Sequence, residues 1–184
     1  MITLPDFLSH YYERAHGPFC NLSDLPPDEA ERLLETIRWR GDVFASQRSA
    51  DYLTIRRGLE ERVRELFIAK GGRPRRARPH YLILGACPWL LGWYRDGCEL
   101  RIPLADFDPA QVSFTYGDTF PALRYGDGKP TRGQVYTLAE LPDLVRAYGQ
   151  PQVVNADGSL GPDRYIEAQV WDDTPLRGYL AGAG

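Results

Sequence analysis

The feature that most constrains what this chain can fold into is a break in texture at Gly71-Gly72. Ahead of it, apolar residues recur at helical spacing. Behind it, short β-prone runs alternate with Pro, Gly and Asp, as strands joined by tight connections do. Helices set apart from strands predict an α+β chain with N-terminal helices packed on a mixed, mostly antiparallel sheet, and argue against a doubly wound fold. The 184 residues suit one domain, residues 1–72 being its helical part and 73–180 its strand-rich part.

Three helices are expected before the break. Leu4, Phe7, Leu8, Tyr11 and Tyr12 follow the i, i+3, i+4, i+7, i+8 rhythm, with Thr3 as cap and Gly17-Pro18 as stop, predicting a helix over 4–15. Pro26-Pro27 followed by Asp28 and Glu29 reads as the first turn of a second, with Ala30, Leu33, Leu34 and Ile37 inward and Gly41 at its end. A third runs from Ser49 or Ala50 to Lys70 with a stripe of Tyr52, Ile55, Leu59, Val63, Leu66 and Phe67. After the break, strands are expected over 81–85, 99–104, 111–116, 133–136, 152–155 and 164–171. One helix over 138–148 interrupts them, introduced by the Thr137/Glu140 capping box and stopped by Gly149, and Ala181 to Gly184 reads as a frayed tail.

Composition narrows the function classes. With 43% hydrophobic and 26% charged residues the chain is neither disordered nor fibrous, and a net charge of −3 argues against general attraction to nucleic acid. No apolar run reaches the ~18–20 residues of a membrane span, and no secretory leader is legible, so a cytoplasmic location is expected. Cys20, Cys87 and Cys98 form no C-x-x-C pair, and the His10-x-x-Glu13-x-x-His16 spacing drifts around a helix, so neither a disulfide framework nor a zinc site is expected. Cys87 before Pro88-Trp89 reads as a small buried residue before it reads as a nucleophile.

Three segments carry candidate chemistry. In the run 163–171, alternation sends Ile166, Ala168 and Val170 to one face and Tyr165, Glu167, Gln169 and Trp171 to the other, either as a cleft wall presenting a carboxylate between aromatic rings or as a solvent-facing strand surface. In 112–121, the hydroxyls of Ser113, Thr115 and Tyr116 lead into a Gly117-Asp118 turn, suited to fixing a ribose or phosphate or serving as a polar edge. Arg73, Arg75, Arg76 and Arg78 with Lys70 and His80 make a basic connection, able to engage phosphates or to be a solvated loop. Trp89, Trp93 and Tyr94 are aromatic enough to anchor a protein partner.

Taken in order, His80-Tyr81 at an early strand, Ser113-Phe114-Thr115-Tyr116 in the middle and Glu167 on a late strand resemble the ADP-ribosyltransferase fold. The run Tyr165 to Leu176, with Phe120-Pro121-Ala122-Leu123 and Gln134 to Leu138, is similar to the DNA-directed toxins of that family. The chain also resembles bacterial proteins to which no activity is assigned. The resemblance spans residues 78 to 180. It implies an ADP-ribosyltransferase-like fold and NAD as substrate, the nicotinamide-ribose bond being cleaved and ADP-ribose passed to a nucleic-acid or protein acceptor. Glu167 would then stabilise the oxocarbenium-like state, with His80 on the adenosine-side ribose and Tyr116 on the nicotinamide. Ser113 or Thr115 would orient ring or ribose, Tyr81 and Gln169 would flank the cofactor, and Arg78 with its neighbours would meet the pyrophosphate. The alternatives are a noncatalytic nucleic-acid-binding module using the arginines and a protein-interaction module using the aromatics.

Overall fold

A computed structural model describes residues 3–180 and shows an α+β fold. Strands β1 (Phe7–Glu13), β2 (His80–Leu84), β3 (Gly97–Pro103), β4 (Val112–Tyr116) and β5 (Ile166–Val170) form one sheet in the order β3-β1-β2-β5-β4. Every neighbouring pair is antiparallel. Helices α1 (Pro27–Arg40) and α2 (Tyr52–Ala69) lie where the sequence puts them, and α4 (Leu141–Tyr148) follows a 3-10 turn closed by the Thr137/Glu140 capping box. Gly149, at φ 77°, ends α4 in a conformation that disfavours a side chain.

Four expectations need correction. Residues 7–13 are a strand, not part of a helix: seven consecutive residues pair with β3, from Phe7 opposite Pro103 to Glu13 opposite Gly97. Its Leu8, Ser9 and Tyr11 are all buried, so both faces carry core residues and the period-2 signal is lost among aromatics. Residues 151–154 form a helical turn, α5 (Pro151–Val154), because Pro151 presets the first turn and outweighs the β-branched Val153-Val154. In 133–136 the expected strand shrinks to one bridge between Tyr136 and Phe114. An unforeseen helix, α3 (Thr119–Arg124), starts where Asp118 Oδ1 accepts from Phe120 N at 2.7 Å. Gly117 before it is obligatory, since at φ 94° a Cβ would lie 2.5 Å from Asp163 Oδ1. The short α6 (Arg177–Leu180) closes the described chain, and the expected frayed tail, 181–184, lies outside the described residues.

The two faces of the sheet differ in chemistry. One is apolar: Leu8, Leu82, Leu84, Ile102, Phe114 and Ile166 pack with Leu141, Leu144 and Val145 of α4. The other carries Ser9, Tyr11, Tyr81, Glu167, Gln169, Ser113 and Thr115, and α2 and α3 cover part of it. There Trp171, fully buried, packs with Val63 and Phe67 of α2 and donates from Nε1 to Ser113 Oγ at 2.9 Å. Glu60 ties α2 to the sheet, its Oε1 accepting from Ser23 Oγ, Arg56 Nε and Tyr81 OH at 2.6, 3.0 and 3.1 Å. Trp171→Ala should cost about 3–5 kcal/mol by cavity creation, against less than about 0.5 kcal/mol for Trp39→Ala, whose ring is 88% exposed. Urea unfolding of the two variants measures the contrast.

Candidate functional site

Where the helical layer stands off the polar face, it leaves a half-open cavity of about 1370 Å³. Its floor is the sheet, with Tyr11 from β1, Tyr81 and Ile83 from β2 and Glu167 from β5; α1, α2 and the first turn of α3 form the walls. Tyr165 adjoins Glu167, and Phe44, Trp93 and Tyr94 stand at another side. The rings pair off, Phe44 stacking on Trp93 at 3.9 Å and Tyr52 on Phe120 at 5.1 Å with planes 3° apart.

The chemistry concentrates on two carboxyls. Glu167 Oε1 accepts from Thr119 N at 3.2 Å, from Thr119 Oγ1 and from Gln169 Nε2 at 3.2 Å. No hydrogen bond reaches Oε2 among the described residues. Burial, reinforced by the neighbouring Asp118, pushes the Glu167 carboxyl up to about 8 despite those donors. Asp118 is raised in the same direction by burial, opposed by Phe120 N–H and by Tyr165 OH at 3.0 Å. Two acids that share a desolvated site resist ionising together, so at neutral pH the pair holds at least one proton. A carboxyl poised near neutrality in a cleft is equipped to exchange a proton or to meet developing positive charge.

Cations face these acids. Arg56, half-buried with its guanidinium over the Tyr81 ring, donates to Tyr52 OH, Ser23 Oγ, Asn21 Oδ1 and Glu60 Oε1. Arg48 lies over the Tyr52 ring, 4.4 Å from its centroid, and burial lowers its pKa.

No protein-family model, curated protein or solved structure matches the chain.

The residues singled out in the sequence divide among several places. Glu167, Tyr165 and Tyr81 meet at the cavity, so only the first half of the polar face of 163–171 is a cleft wall; Gln169 and Trp171, on the same face, are sealed in the core, and the solvent-facing reading holds for none of them. Gln169, Ser113 and Thr115 lie below the cavity floor in a closed network: Ser113 Oγ donates to Gln169 Oε1 at 2.9 Å and Gln169 Nε2 to Thr115 Oγ1 at 3.0 Å. They steady Glu167 and offer no free group to a ligand. Tyr116 points into the apolar core, its hydroxyl donating to Tyr148 O at 2.9 Å, which removes it from any nicotinamide-stacking role. His80 lines the cavity edge but leaves β2 on the side opposite Tyr81, its Nε2 2.9 Å from Asp173 Oδ1. His80, Tyr116 and Glu167 therefore do not converge.

The basic connection is largely committed internally. Arg75 pairs with Asp172 at 2.9 Å, Arg76 with Asp24 and Asp173 at 2.5 Å each, and Arg78 with Glu61 at 3.0 Å. Arg78 is thereby withdrawn from a pyrophosphate role, and the segment reads as a brace between helix and sheet. Trp93 and Tyr94 are half-buried and Trp89 is 42% exposed; all three line the cavity. Cys87 is buried, and burial pushes its thiol up, as for an inert side chain. Among the described residues no group of three or more His, Cys, Asp and Glu is disposed to hold a metal ion, and no helix is long and apolar enough to cross a membrane. His10 sits in β1, with Nδ1 3.1 Å from Tyr81 O and Nε2 accepting from Phe19 N, and burial lowers its pKa to about 4.

Sequence reasoning placed Asp118 and Thr119 in the 112–121 segment only as a turn, without an acid role, and passed over Arg48 and Arg56. Two signals were there: Asp118 just before a Thr-Phe-Pro first turn, and Tyr52, Arg56 and Glu60 at four-residue spacing, which puts them on one face of α2; Arg48, in extended backbone ahead of that helix, carried none. A raised folded-state pKa means the native state binds the proton more tightly, so Glu167 makes stability fall as pH rises from about 4.5 to about 8. Glu167→Gln removes that slope. The variant's stability should gain on the wild type between those limits and keep a constant lead above them, as urea unfolding at pH 5 and pH 8.5 would record.

Proposed function

We propose that the chain is a ribosyl-transferring enzyme that binds NAD in this cavity and cleaves its nicotinamide-ribose bond at Glu167. What carries the reading is the Glu167 carboxyl on the cavity floor, one oxygen fixed by Thr119 and Gln169 and the other without a donor among the described residues. Breaking the bond leaves positive charge on the ribose C1′ while nicotinamide departs with the electron pair. A fixed carboxylate beside that carbon lowers the barrier because it needs no reorganisation. The acceptor then adds at C1′, and its proton passes to the Asp118–Glu167 pair, which burial has made basic enough to receive it.

The surroundings support the same assignment. At about 1370 Å³ the cavity exceeds the roughly 300–1,000 Å³ of ordinary small-molecule pockets, in keeping with a dinucleotide. Its paired rings offer flat apolar faces to a nicotinamide or an adenine. In this assignment Glu167 acts on the substrate and Tyr81 lines the site. His80, Ser113, Thr115, Tyr116 and Gln169 support the fold around it.

The positive nicotinamide ring should draw the Glu167 carboxyl into its ionised form. At pH 7, below the value of about 8, NAD binding should therefore release protons, and affinity should rise as pH approaches 8. Calorimetry in two buffers of different ionisation enthalpy reads the proton release, and mass spectrometry reads free nicotinamide. Glu167→Gln should abolish the proton release and lower nicotinamide production by about 100-fold or more. Folded wild-type protein that neither binds NAD nor frees nicotinamide would falsify the proposal.

A further inference from the structure

Two donors that line the cavity, one of them within reach of the Asp118 charge, have no protein partner among the described residues. The Arg48 guanidinium makes no hydrogen bond or ion pair among the described residues, although burial lowers its pKa. The Tyr94 hydroxyl likewise makes none, and burial raises its pKa, so it remains a donor. Each group feels the other's charge, and both line the cavity with polar atoms that are not sealed in packed protein.

The other cations at the cavity are either exposed, as Arg40 and Arg124 are, or committed to protein partners. Arg56 is saturated by four side chains, Arg95 pairs with Asp42, and Arg164 donates to Ala156 O. Arg48 is nonetheless held in place. Its backbone carbonyl accepts from Arg38 Nε at 3.0 Å, and the next carbonyl, of Ser49, accepts from Arg38 Nη2 at 2.7 Å. Its guanidinium rests over Tyr52, whose ring stacks on Phe120 at the first turn of α3 and whose hydroxyl is fixed by Arg56. A guanidinium seated on a ring keeps its in-plane N–H fork free for a planar or tetrahedral oxyanion. A partly desolvated charge with no contact ion pair, offset only at a distance by Asp118, is costly to the fold, and such costs gather where a ligand supplies the missing partner.

We propose that Arg48 and Tyr94 form an oxyanion subsite of this cavity that binds a phosphate of a nucleotide, with the Tyr52–Phe120 stack beside it. This rests on the nucleotide-binding part of the preceding reading and is independent of bond cleavage. The phosphate would accept the Arg48 fork and the Tyr94 hydroxyl, which leaves the far end of the ligand toward Glu167.

Calorimetry with ADP and with adenosine, on wild type, Arg48→Gln, Arg48→Lys and Glu167→Gln, tests it, with the melting temperature of each protein taken without ligand. The expected result is ADP bound more tightly than adenosine, and ADP affinity lowered about tenfold or more in Arg48→Gln, with partial recovery in Arg48→Lys. Glu167→Gln should keep ADP affinity. Without ligand, Arg48→Gln should melt no lower than wild type, because the lost guanidinium made no hydrogen bond or ion pair among the described residues. The proposal is overturned if wild type fails to bind ADP, if adenosine binds as tightly, or if Arg48→Gln leaves ADP affinity unchanged. It is also overturned if Arg48→Gln melts well below wild type, which would make Arg48 a structural counter-charge for Asp118. ADP binding without nicotinamide release would keep this subsite and discard the cleavage reading; release without Arg48-dependent ADP binding would do the reverse.

Discussion

β5 is buried on both sides, and its two sides bury different chemistry. Ile166, Ala168 and Val170 need only apolar neighbours, which β2, β4 and α4 provide. Glu167 and Gln169 need hydrogen bonds, because a buried polar group without one costs more than most packing defects. Ser113, Thr115 and Thr119 meet that need through one connected set, and the Trp171 indole closes its far end. The position of α3 follows from the same constraint: Thr119 must stand over Glu167, so the chain turns sharply at Gly117 and caps the helix with Asp118.

That network is closed at Ser113 and Trp171 and open at Glu167. Toward the closed end α2 lies tight on the sheet through Val63 and Phe67. Toward the open end, α2 carries Tyr52 and Arg56, Arg48 stands in the extended segment just ahead of it, and the layers part around these polar side chains to leave the cavity. Glu60 and Arg56 neutralise each other and hold Tyr81. Arg48, Asp118 and Glu167 stay incompletely compensated. All three carry shifts with burial as the largest cause, each toward the neutral form, which marks the cavity as the place where the fold forgoes stability.

The N-terminal part is structural wall as much as separate layer. β1 occupies an interior position in the sheet, between β2 and β3, and contributes Ser9 and Tyr11 to the polar face. The Tyr11 hydroxyl donates to Glu99 and accepts from the Cys87 amide, joining three segments at the cavity's edge. The arginines of the 73–78 connection pin the crossing from α2 to β2 onto Asp24, Asp172 and Asp173. A run that reads as an electrostatic surface in one dimension is consumed by carboxylates distant in sequence.

The sequence by itself determined the segregation of helices from strands, the extents of α1, α2 and α4, and the positions of β2 to β5. These rest on local signals: proline at first turns, a capping box, glycine stops and hydrophobic period. It also singled out Glu167 and Tyr165, because alternation along a strand is a local rule. Only the tertiary structure decided that 7–13 is a strand, since seven pairings with β3 outweigh a helical rhythm that aromatics on both faces imitate. It alone placed Tyr116 in the core, sealed Ser113 and Gln169 in a network, turned His80 toward Asp173, and set Arg48 and Asp118 around one cavity. Strand alternation says that neighbours face opposite ways, but which way is the core depends on what packs against each face, and that is settled by contacts between residues far apart in the chain.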